Sequence, residues 1–282
     1  MPATRSSLKS LIPYLPFSTI LSLIERDRLT RTEVHSGGVI FIDVAGFTAM
    51  SAALGAHGQA GMQALQDIMS QYYNGLLDFV RDYGGIVYQF AGDSILAGLA
   101  VQPDESHAAC AIRTARLAQA LHASVADFAE FDALGDSYTI QTKAGATFGE
   151  YQVLLLGQKN LWFHPVLVGP AVQAAVNAEL RASPGQSIIT RDLLDMLPPG
   201  SAHTTALAPQ PGDNGDEFFD LTELKAQGDR FRGSFTLPPD FDEAKLYRRC
   251  SYFIQDTLLK KFTTGHRGFT GEFRNITALF IR

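Results

Sequence analysis

The stretch Gly38-Val-Ile-Phe-Ile-Asp43-Val-Ala-Gly-Phe-Thr48 decides how the rest of this chain is interpreted. A run of apolar, β-type residues ends at Asp43 and passes directly into a turn that contains glycine. A second run, Gly84-Gly-Ile-Val-Tyr-Gln-Phe-Ala-Gly-Asp93, places another aspartate in the same way. Magnesium in phosphate chemistry is usually held by one or two carboxylates together with substrate phosphates. The two strand ends therefore predict a magnesium site.

The residues after Asp43 suit a phosphate ligand. Gly46 permits a tight bend, Thr48 is predicted to cap a helix that begins near Ala49, and Phe47 is predicted to pack beneath the turn. A helix N-terminus offers unpaired N–H groups and a partial positive charge to a polyphosphate. Aspartates followed by glycine are also common turn residues that bind nothing. The pattern alone leaves both interpretations open.

Both segments resemble the class III nucleotidyl cyclases, the adenylyl and guanylyl cyclase family. Members of that family show a hydrophobic strand, an Asp, a short turn ending in Gly-Phe-Thr, and later Phe-x-Gly-Asp. Ile42-Asp43-Val-Ala-Gly-Phe-Thr48 and Phe90-Ala-Gly-Asp93 match that pattern in sequence and in spacing. The resemblance implies a reaction in which the ribose 3′-hydroxyl attacks the α-phosphate and pyrophosphate leaves.

The same resemblance assigns the site residues. Asp43 and Asp93 would be the catalytic metal ligands for two Mg2+ (or Mn2+) ions, and Val44 would contribute at the metal. The backbone around the nucleotide phosphates would be supplied by Val44, Ala45, Gly46, Phe47, Thr48 and Gly92.

The order of predicted elements sets the fold class. A strand over 38–43, a helical stretch over 49–83, a hairpin over 86–100, a helix over 105–130 and a strand over 137–147 give the order βαββαβ. That order implies an α+β, ferredoxin-like cyclase domain with a mixed, mainly antiparallel sheet and helices on one face.

Four segments are predicted along the chain. They are an N-terminal lead-in helix (1–32), the cyclase domain (33–200), a loop and strand extension of that domain (201–240), and a linker helix with the first strand of a truncated second cyclase domain (241–282). The last segment is predicted from an internal sequence repeat, because Glu272–Arg282 aligns with Glu33–Asp43. Arg282 takes the place of Asp43, so the second copy is expected to lack that metal ligand. The alternative is that two apolar strands merely look alike.

In the resembled family the site forms at a head-to-tail interface of two cyclase domains. The partner residues are an Asn and an Arg four positions later on one helix, and the Arg stabilises charge on the transferring phosphate. Here those positions fall on Gln173 and Asn177, while Asn177 and Arg181 stand four apart but one turn later. A domain that keeps the metal ligands without this pair needs a complementary partner.

A domain with the metal ligands but without the Asn–Arg pair resembles the first catalytic domain of the soluble, bicarbonate-responsive tandem adenylyl cyclases. The prediction is therefore the first half of a tandem adenylate cyclase, which converts ATP to cyclic AMP and pyrophosphate with a second cyclase domain of the same parent chain, and which is inactive by itself. The alternative is a non-catalytic, cyclase-like dimerisation or sensing module. Gln89 and Val176 replace the basic residues that hold bicarbonate in that subgroup, which argues against bicarbonate control.

Composition narrows the partners and the compartment. The formal charge of −6 over 282 residues argues against nucleic-acid binding, which needs clustered Lys and Arg. No run approaches the roughly 18 apolar residues that span a bilayer, and no secretory signal is evident, so a cytoplasmic protein without membrane contact is expected. Cys110 lies in an apolar helical run where a reduced thiol is expected. Lys143 is interpreted as a solvated strand side chain, with a phosphate contact as the alternative.

Overall fold

A computed structural model describes residues 8, 11, 15, 17–25, 30–126, 130–158, 162–226, 237–255 and 259. The helices are α1 (Phe17–Glu25), α2 (Phe47–Gly55), α3 (Gly58–Asp82), α4 (His107–Ala126), α5 (Pro170–Leu180), α6 (Arg191–Met196) and α7 (Glu243–Cys250). The strands are β1 (Thr32–Ala45), β2 (Ile86–Ala91), β3 (Ser94–Ala100), β4 (Glu130–Ala133), β5 (Asp136–Thr139), β6 (Gln141–Gly157), β7 (Phe163–Val168), β8 (Ser187–Thr190), β9 (Ala202–Ala206) and β10 (Phe218–Leu224).

One large sheet organises the described part of the chain. Its strand order is β2-β3-β1-β6-β8-β10-β9, with β7 paired to the second half of β6 and a separate β4-β5 hairpin. The β6-β8 pair is parallel, whereas β1 pairs antiparallel with both β3 and β6. The prediction of an α+β domain with a mainly antiparallel sheet is confirmed.

Alternate residues of β1 face two different layers of core, as the period of a strand requires. Ile40, Ile42 and Val44 pack in the main core with α2, α3 and α4. Val39 packs on the opposite side with Ala171 and Ala175 of α5, and Phe41 packs against that cluster. The expected helices on one face are therefore α2, α3 and α4, and α5 lies on the other face. Asp43, an odd-numbered residue of β1, shares the α5 face.

The long predicted helix over 49–83 is two helices. α2 ends at Gly55 and α3 begins at Gly58, and the N–H of His57 bonds to the carbonyl of Leu54 at the break. The two helices cross closely because Gly61 lacks a side chain: a Cβ there would lie 1.6 Å from the Leu54 carbonyl oxygen. This contact fixes the orientation of α3 beneath the strand ends.

A smaller core joins the two ends of the described chain. Leu23 of α1 and Leu246 of α7 are buried in one cluster, and the Arg249 guanidinium donates to the Leu23 carbonyl oxygen. The expected second copy, with Glu272–Arg282, lies outside the described residues and stays a prediction, as do the four segment boundaries. Cys110 and Cys250 are both buried free thiols. Among the helices described, none has the length and apolar character needed to cross a bilayer.

A polar cluster links α4 to the sheet. His122 Nδ1 lies 2.9 Å from Thr142 Oγ1, and His122 Nε2 lies 2.9 Å from Ser187 Oγ. The Ser187 hydroxyl donates to the Ala118 carbonyl oxygen at 2.6 Å, so its oxygen accepts from His122 Nε2–H. The Thr142 hydroxyl can then donate to Nδ1, which satisfies a neutral imidazole. Burial lowers the pKa of His122, against opposing contributions from its Gln186 backbone contact and from Asp220.

This cluster predicts a pH-dependent stability. The folded-state pKa of His122 lies below its unfolded value of 6.5, so the unfolded chain binds the extra proton first. The contribution of His122 is therefore present above about pH 6.5 and is lost as the pH falls toward the folded-state pKa. His122→Gln keeps a donor and an acceptor and should flatten the fall of Tm between pH 7.5 and 5.5, measured by thermal unfolding. His164→Gln, at an exposed position of β7, is the matched control; equal pH slopes for the wild type and His122→Gln would contradict the prediction.

Candidate active site

Strand pairing brings the two predicted metal ligands to one end of the sheet. β1 ends at Ala45, and its antiparallel neighbour β3 begins at Ser94, with Ile42 paired to Ile95. The end of β1 therefore meets the turn that precedes β3, and this turn contains Asp93. The β1-β6 register places Lys143 directly opposite Asp43. Three polar side chains converge because three strands are hydrogen-bonded in this register.

The turn that contains Asp93 is a two-residue hairpin loop. Ala91 pairs with Ser94, and Gly92 has a φ of 68°, a conformation that glycine supplies without steric cost. The Tyr73 hydroxyl of α3 donates to the Gly92 carbonyl oxygen at 3.0 Å. The Tyr73 ring also packs edge-to-face on Phe90 at 5.5 Å between centroids. The loop is thus attached to a long helix.

Asp43 is fixed by a neighbour that the sequence did not single out. The Ser94 hydroxyl donates to Asp43 Oδ1 at 2.6 Å, within the usual range for a hydroxyl–carboxylate hydrogen bond. This bond crosses from β3 to β1 and orients one carboxylate oxygen. The second oxygen, Oδ2, lies 3.5 Å from Lys143 Nζ. The Asp43 side chain is 22% exposed, so a ligand can reach it.

Lys143 has a second and closer acidic partner. Its Nζ lies 2.5 Å from Glu179 Oε1 of α5, and the Glu179 side chain is only 4% exposed. The interpretation of Lys143 as a solvated strand lysine is wrong, because the side chain is 22% exposed and in contact with two carboxylates. Glu179 was not predicted from the sequence, since nothing in a helix of mostly small apolar residues indicates which strand lies beneath it.

Glycine at 145 brings α5 onto this end of the sheet. A Cβ at Gly145 would lie 2.1 Å from both the Ala175 carbonyl oxygen and the Glu179 backbone nitrogen. Real atoms cannot approach so closely, so the contact between helix and strand exists only with glycine. Lys143 and Gly145 are two apart on one strand and share a face. The close approach at Gly145 therefore sets Glu179 beside Lys143.

The site carries more negative than positive charge. Burial raises the pKa of Glu179, and the charges of Asp43 and Asp93 add to the shift, although Lys143 opposes it. Burial also raises the pKa of Asp93; its own backbone hydrogen bond opposes the shift, Asp43 adds to it and Lys143 opposes it. Burial alone would lower the pKa of Lys143, but Glu179 and Asp43 outweigh it and raise the pKa. The Lys143 ammonium thus contacts two carboxylates, those of Asp43 and Glu179, and lies near the charge of a third, Asp93.

The tyrosines beneath the strand ends experience the same negative field. Burial, followed by the charges of Asp93 and Asp43, raises the pKa of Tyr73 to about 12. Burial raises the pKa of Tyr72 still further, with smaller contributions from Tyr73, Asp43 and Asp93. Both phenols therefore stay protonated at neutral pH. Tyr73 acts as a hydrogen-bond donor to Gly92 and Tyr72 as a buried packing group, and neither acts as a base.

The turn after Asp43 differs in detail from the prediction. α2 begins at Phe47, two residues earlier than expected, and its N-cap is Gly46 with a φ of 90°. Thr48 is therefore a residue of the first helical turn and not the cap, because the left-handed conformation of Gly46 has already redirected the chain. Gly46 has no side chain to occupy the helix N-terminus, and no side-chain hydrogen bond caps it. Phe47 is half-buried and packs against the main core.

Comparison with known proteins supports the assignment of the fold. No protein-family model matches the chain. Adenylate cyclase type 10 from Homo sapiens is 23% identical over 270 residues, which is 88% of this chain and 16% of that protein. The chain thus spans about a sixth of the length of the curated relative. The adenylyl cyclase CyaB from P. aeruginosa superposes with a TM-score of 0.57 at 19% identity, over 69% of this chain and 97% of that chain.

This chain has the class III nucleotidyl cyclase fold. A guanylyl cyclase domain, that of the RhoGC fusion protein from Blastocladiella emersonii, superposes equally well, with a TM-score of 0.56 at 18% identity over 70% of this chain and all of that chain. Both adenylyl and guanylyl cyclases therefore share the architecture, and the fold does not select the purine.

Asn177 of α5 and Arg181, which directly follows that helix, are the Asn and Arg that stand one turn later than the family's pair, and both contact residues of this domain. Asn177 accepts a hydrogen bond from Gln173 at 2.8 Å. The Arg181 guanidinium lies 2.5 Å from Asp213 Oδ2 and donates to the Ala208 carbonyl oxygen at 2.7 Å. Its side chain is 10% exposed, so Arg181 holds the loop before β10 against the end of α5.

Gln89 also has a local partner. Its side-chain oxygen accepts from the Leu167 backbone N–H at 3.2 Å, which ties β2 to β7. Among the residues that the structure describes, no group of three or more His, Cys, Asp or Glu side chains is arranged to hold a metal ion. Magnesium in phosphate chemistry is usually held by only one or two carboxylates together with substrate phosphates, so a larger cluster of acidic ligands is not expected at such a site.

Proposed function

We propose that this chain is the first catalytic domain of a two-domain adenylate cyclase, which converts ATP to 3′,5′-cyclic AMP and pyrophosphate. One observation carries the proposal: the pairing of β1 with β3 brings Asp43 beside the hairpin turn that contains Asp93, and Ser94 orients the first carboxylate. ATP is preferred as the substrate because the curated relatives are adenylate cyclases.

The residues present suit two Mg2+ or Mn2+ ions. Asp43, Asp93 and the Val44 carbonyl would hold them, and the excess of buried negative charge would be relieved by divalent cations. When bound, two such ions stabilise charge on the phosphates and on the attacking hydroxyl. The backbone from Val44 to Thr48 and at Gly92 would contact the triphosphate, since the start of α2 has no side-chain cap.

Side chains of the protein itself orient the proposed metal ligands and add positive charge. Ser94 holds the Asp43 carboxylate in one orientation, and Tyr73 holds the loop of Asp93. Lys143 adds a fixed positive charge beside Asp43, where it can meet a phosphate oxygen. Preorganised charge of this kind stabilises a transition state because it needs no rearrangement during the reaction.

The contacts of the polar residues of α5 support the proposal of a second cyclase domain. The positions of the family's Asn and Arg hold Gln173 and Asn177, which bond to each other. Arg181 is engaged with Asp213 and Ala208. The arginine that stabilises charge on the transferring phosphate would therefore come from the second domain, which we propose belongs to the same parent chain.

The test compares the 282-residue chain with the longer parent protein. Each is assayed with ATP and with GTP, in magnesium and in manganese, and cyclic nucleotides are quantified by mass spectrometry. We expect cyclic AMP from the longer protein and little or none from the chain alone. Product of similar amount from the chain alone would contradict the need for a second domain. Nucleotide binding without product from the longer protein would favour a non-catalytic sensing module.

A further inference from the structure

Glu179 is an acidic residue that the proposed chemistry does not use. It projects from α5 toward the ends of β1 and β6, and its side chain is 4% exposed. Its Oε1 atom is fully buried and lies 2.5 Å from Lys143 Nζ. Burying a carboxylate is costly unless it is paired, so a role for this charge is expected. The ammonium of Lys143, which contacts it, also contacts Asp43.

The two contacts of Lys143 are unequal. The ammonium lies 2.5 Å from Glu179 and 3.5 Å from Asp43 Oδ2. Attraction between charges falls with distance, so Glu179 is the dominant partner. Asp43 Oδ2 therefore has the longer of the two Lys143 contacts, and its Oδ1 is oriented by Ser94.

Removal of the Glu179 charge would change this balance. Lys143 is directly opposite Asp43 in the β1-β6 register, and a lysine side chain has several rotatable bonds. Without the charge of Glu179, the ammonium would shorten its 3.5 Å contact with Asp43 Oδ2 and pair with that carboxylate alone. A divalent cation would then have to displace that ammonium in order to bind.

We propose that Glu179 is a positioning residue that prevents Lys143 from forming a closer ion pair with Asp43, and so keeps the Asp43 carboxylate available to a metal ion. The inference rests on the proposed function, because it takes Asp43 to be a metal ligand. It differs from a purely electrostatic role for Glu179, in which the carboxylate would attract cations by its charge alone. The two roles predict different behaviour when Lys143 is removed.

The experiment is a double-mutant cycle read out by metal binding and not by activity. Binding of Mn2+ to the 282-residue chain is measured by electron paramagnetic resonance of the free ion, for wild type, Glu179→Gln, Lys143→Met and the double variant. We expect Glu179→Gln to weaken Mn2+ binding about tenfold, a coupling of the usual size for contacting residues. Lys143→Met should bind at least as tightly as wild type, and the double variant should match Lys143→Met.

Three results would overturn the inference. They are a Glu179→Gln variant that binds like wild type, an equal loss in both lysine backgrounds, and a Glu179→Asp variant that binds like wild type. Glu179→Asp is the second variant because it keeps the charge but is shorter by one methylene, so a positioning role predicts weaker binding. Thermal unfolding verifies that each variant is folded.

The design separates this inference from the proposed function. Asp43→Asn serves as the control in the same titration. If the wild type binds no Mn2+, or if Asp43→Asn binds as tightly as wild type, the metal role of Asp43 fails and the inference fails with it. If Asp43→Asn abolishes binding while Glu179→Gln leaves it unchanged, only the role of Glu179 is wrong.

Discussion

Asp43→Asn and Asp93→Asn should each lower cyclic nucleotide formation by the proposed two-domain enzyme at least about 100-fold. A metal ion contributes several kcal/mol of charge stabilisation to phosphoryl transfer, and each 1.36 kcal/mol is roughly a factor of ten in rate. An amide oxygen can replace one carboxylate oxygen in shape but carries no charge. The measurement is the initial rate of cyclic AMP formation at saturating Mn2+ and ATP.

Thermal unfolding distinguishes a variant that has lost a metal ligand from a variant that has lost its fold. Burial raises the pKa of Asp93, and the nearby charge of Asp43 adds to that shift, which means that the folded protein disfavours the ionised form. Asp93→Asn removes this unfavourable charge, so in the absence of metal its Tm should equal or exceed that of wild type. In the presence of Mn2+ the wild type should gain Tm and the variant should not, because only a bound ligand stabilises the folded state.

A third aspartate provides the matched control. Asp67 lies on an exposed face of α3, where it accepts a hydrogen bond from Gln63. Asp67→Asn makes the same chemical change away from the strand ends and should leave the rate within about twofold, as surface substitutions usually do. Rates within threefold of wild type for both Asp43→Asn and Asp93→Asn would refute the metal-ligand assignment.

Local patterns predict the β2-β3 hairpin over 86–100 and its Gly92-Asp93 turn, because the residues that specify them are adjacent in sequence. The same patterns place the first strand over 38–43, which is too short, because β1 runs from Thr32 to Ala45 and Asp43 lies two residues before its end. The meeting of the two strand ends was inferred from a family resemblance, and the antiparallel β1-β3 register now provides its physical basis. The start of α2 was misplaced because Thr48 is a good cap residue, whereas Gly46 begins the helix by its left-handed conformation.

Contacts across layers could not be predicted in the same way. Lys143 looks like any strand lysine until α5 is placed over it, and Glu179 looks like an ordinary helical acid until β6 is placed beneath it. The two residues are 36 positions apart, and no local period relates them. The placement of α5 on the opposite face from α2, α3 and α4 is likewise decided by tertiary packing. Gly145 is the residue whose lack of a side chain permits this placement of α5.

Gly145→Ala should strongly destabilise the domain. The added Cβ would lie 2.1 Å from two backbone atoms of α5, the Ala175 oxygen and the Glu179 nitrogen. Backbone atoms cannot rotate away as a side chain can, so the helix must move by more than about 1 Å to reach van der Waals distance. Overpacking of a core costs roughly 1 to 3 kcal/mol and sometimes more, and we expect about 3 kcal/mol here.

Gly149 is a stringent control for this substitution. It lies on the same strand and the same face, and a Cβ there would meet Ala171 Cβ of the same helix at 3.5 Å, an ordinary contact. Gly149→Ala should therefore be nearly neutral or slightly stabilising, since alanine loses less conformational freedom than glycine on folding. Any general effect of removing a glycine from β6 would appear in both variants.

The two substitutions also test how the sheet is coupled to the proposed metal site. If Gly145 sets the position of α5, Gly145→Ala should lower the Tm by roughly 10 °C and also weaken Mn2+ binding, because displacement of Glu179 releases Lys143 toward Asp43. Gly149→Ala should change neither quantity. The measurements are thermal unfolding and the Mn2+ titration, made at a temperature where each variant is folded. A large loss of Tm with unchanged Mn2+ binding would show that the glycine serves packing alone, whereas equal Tm values for the two variants would contradict the close approach of α5 to β6.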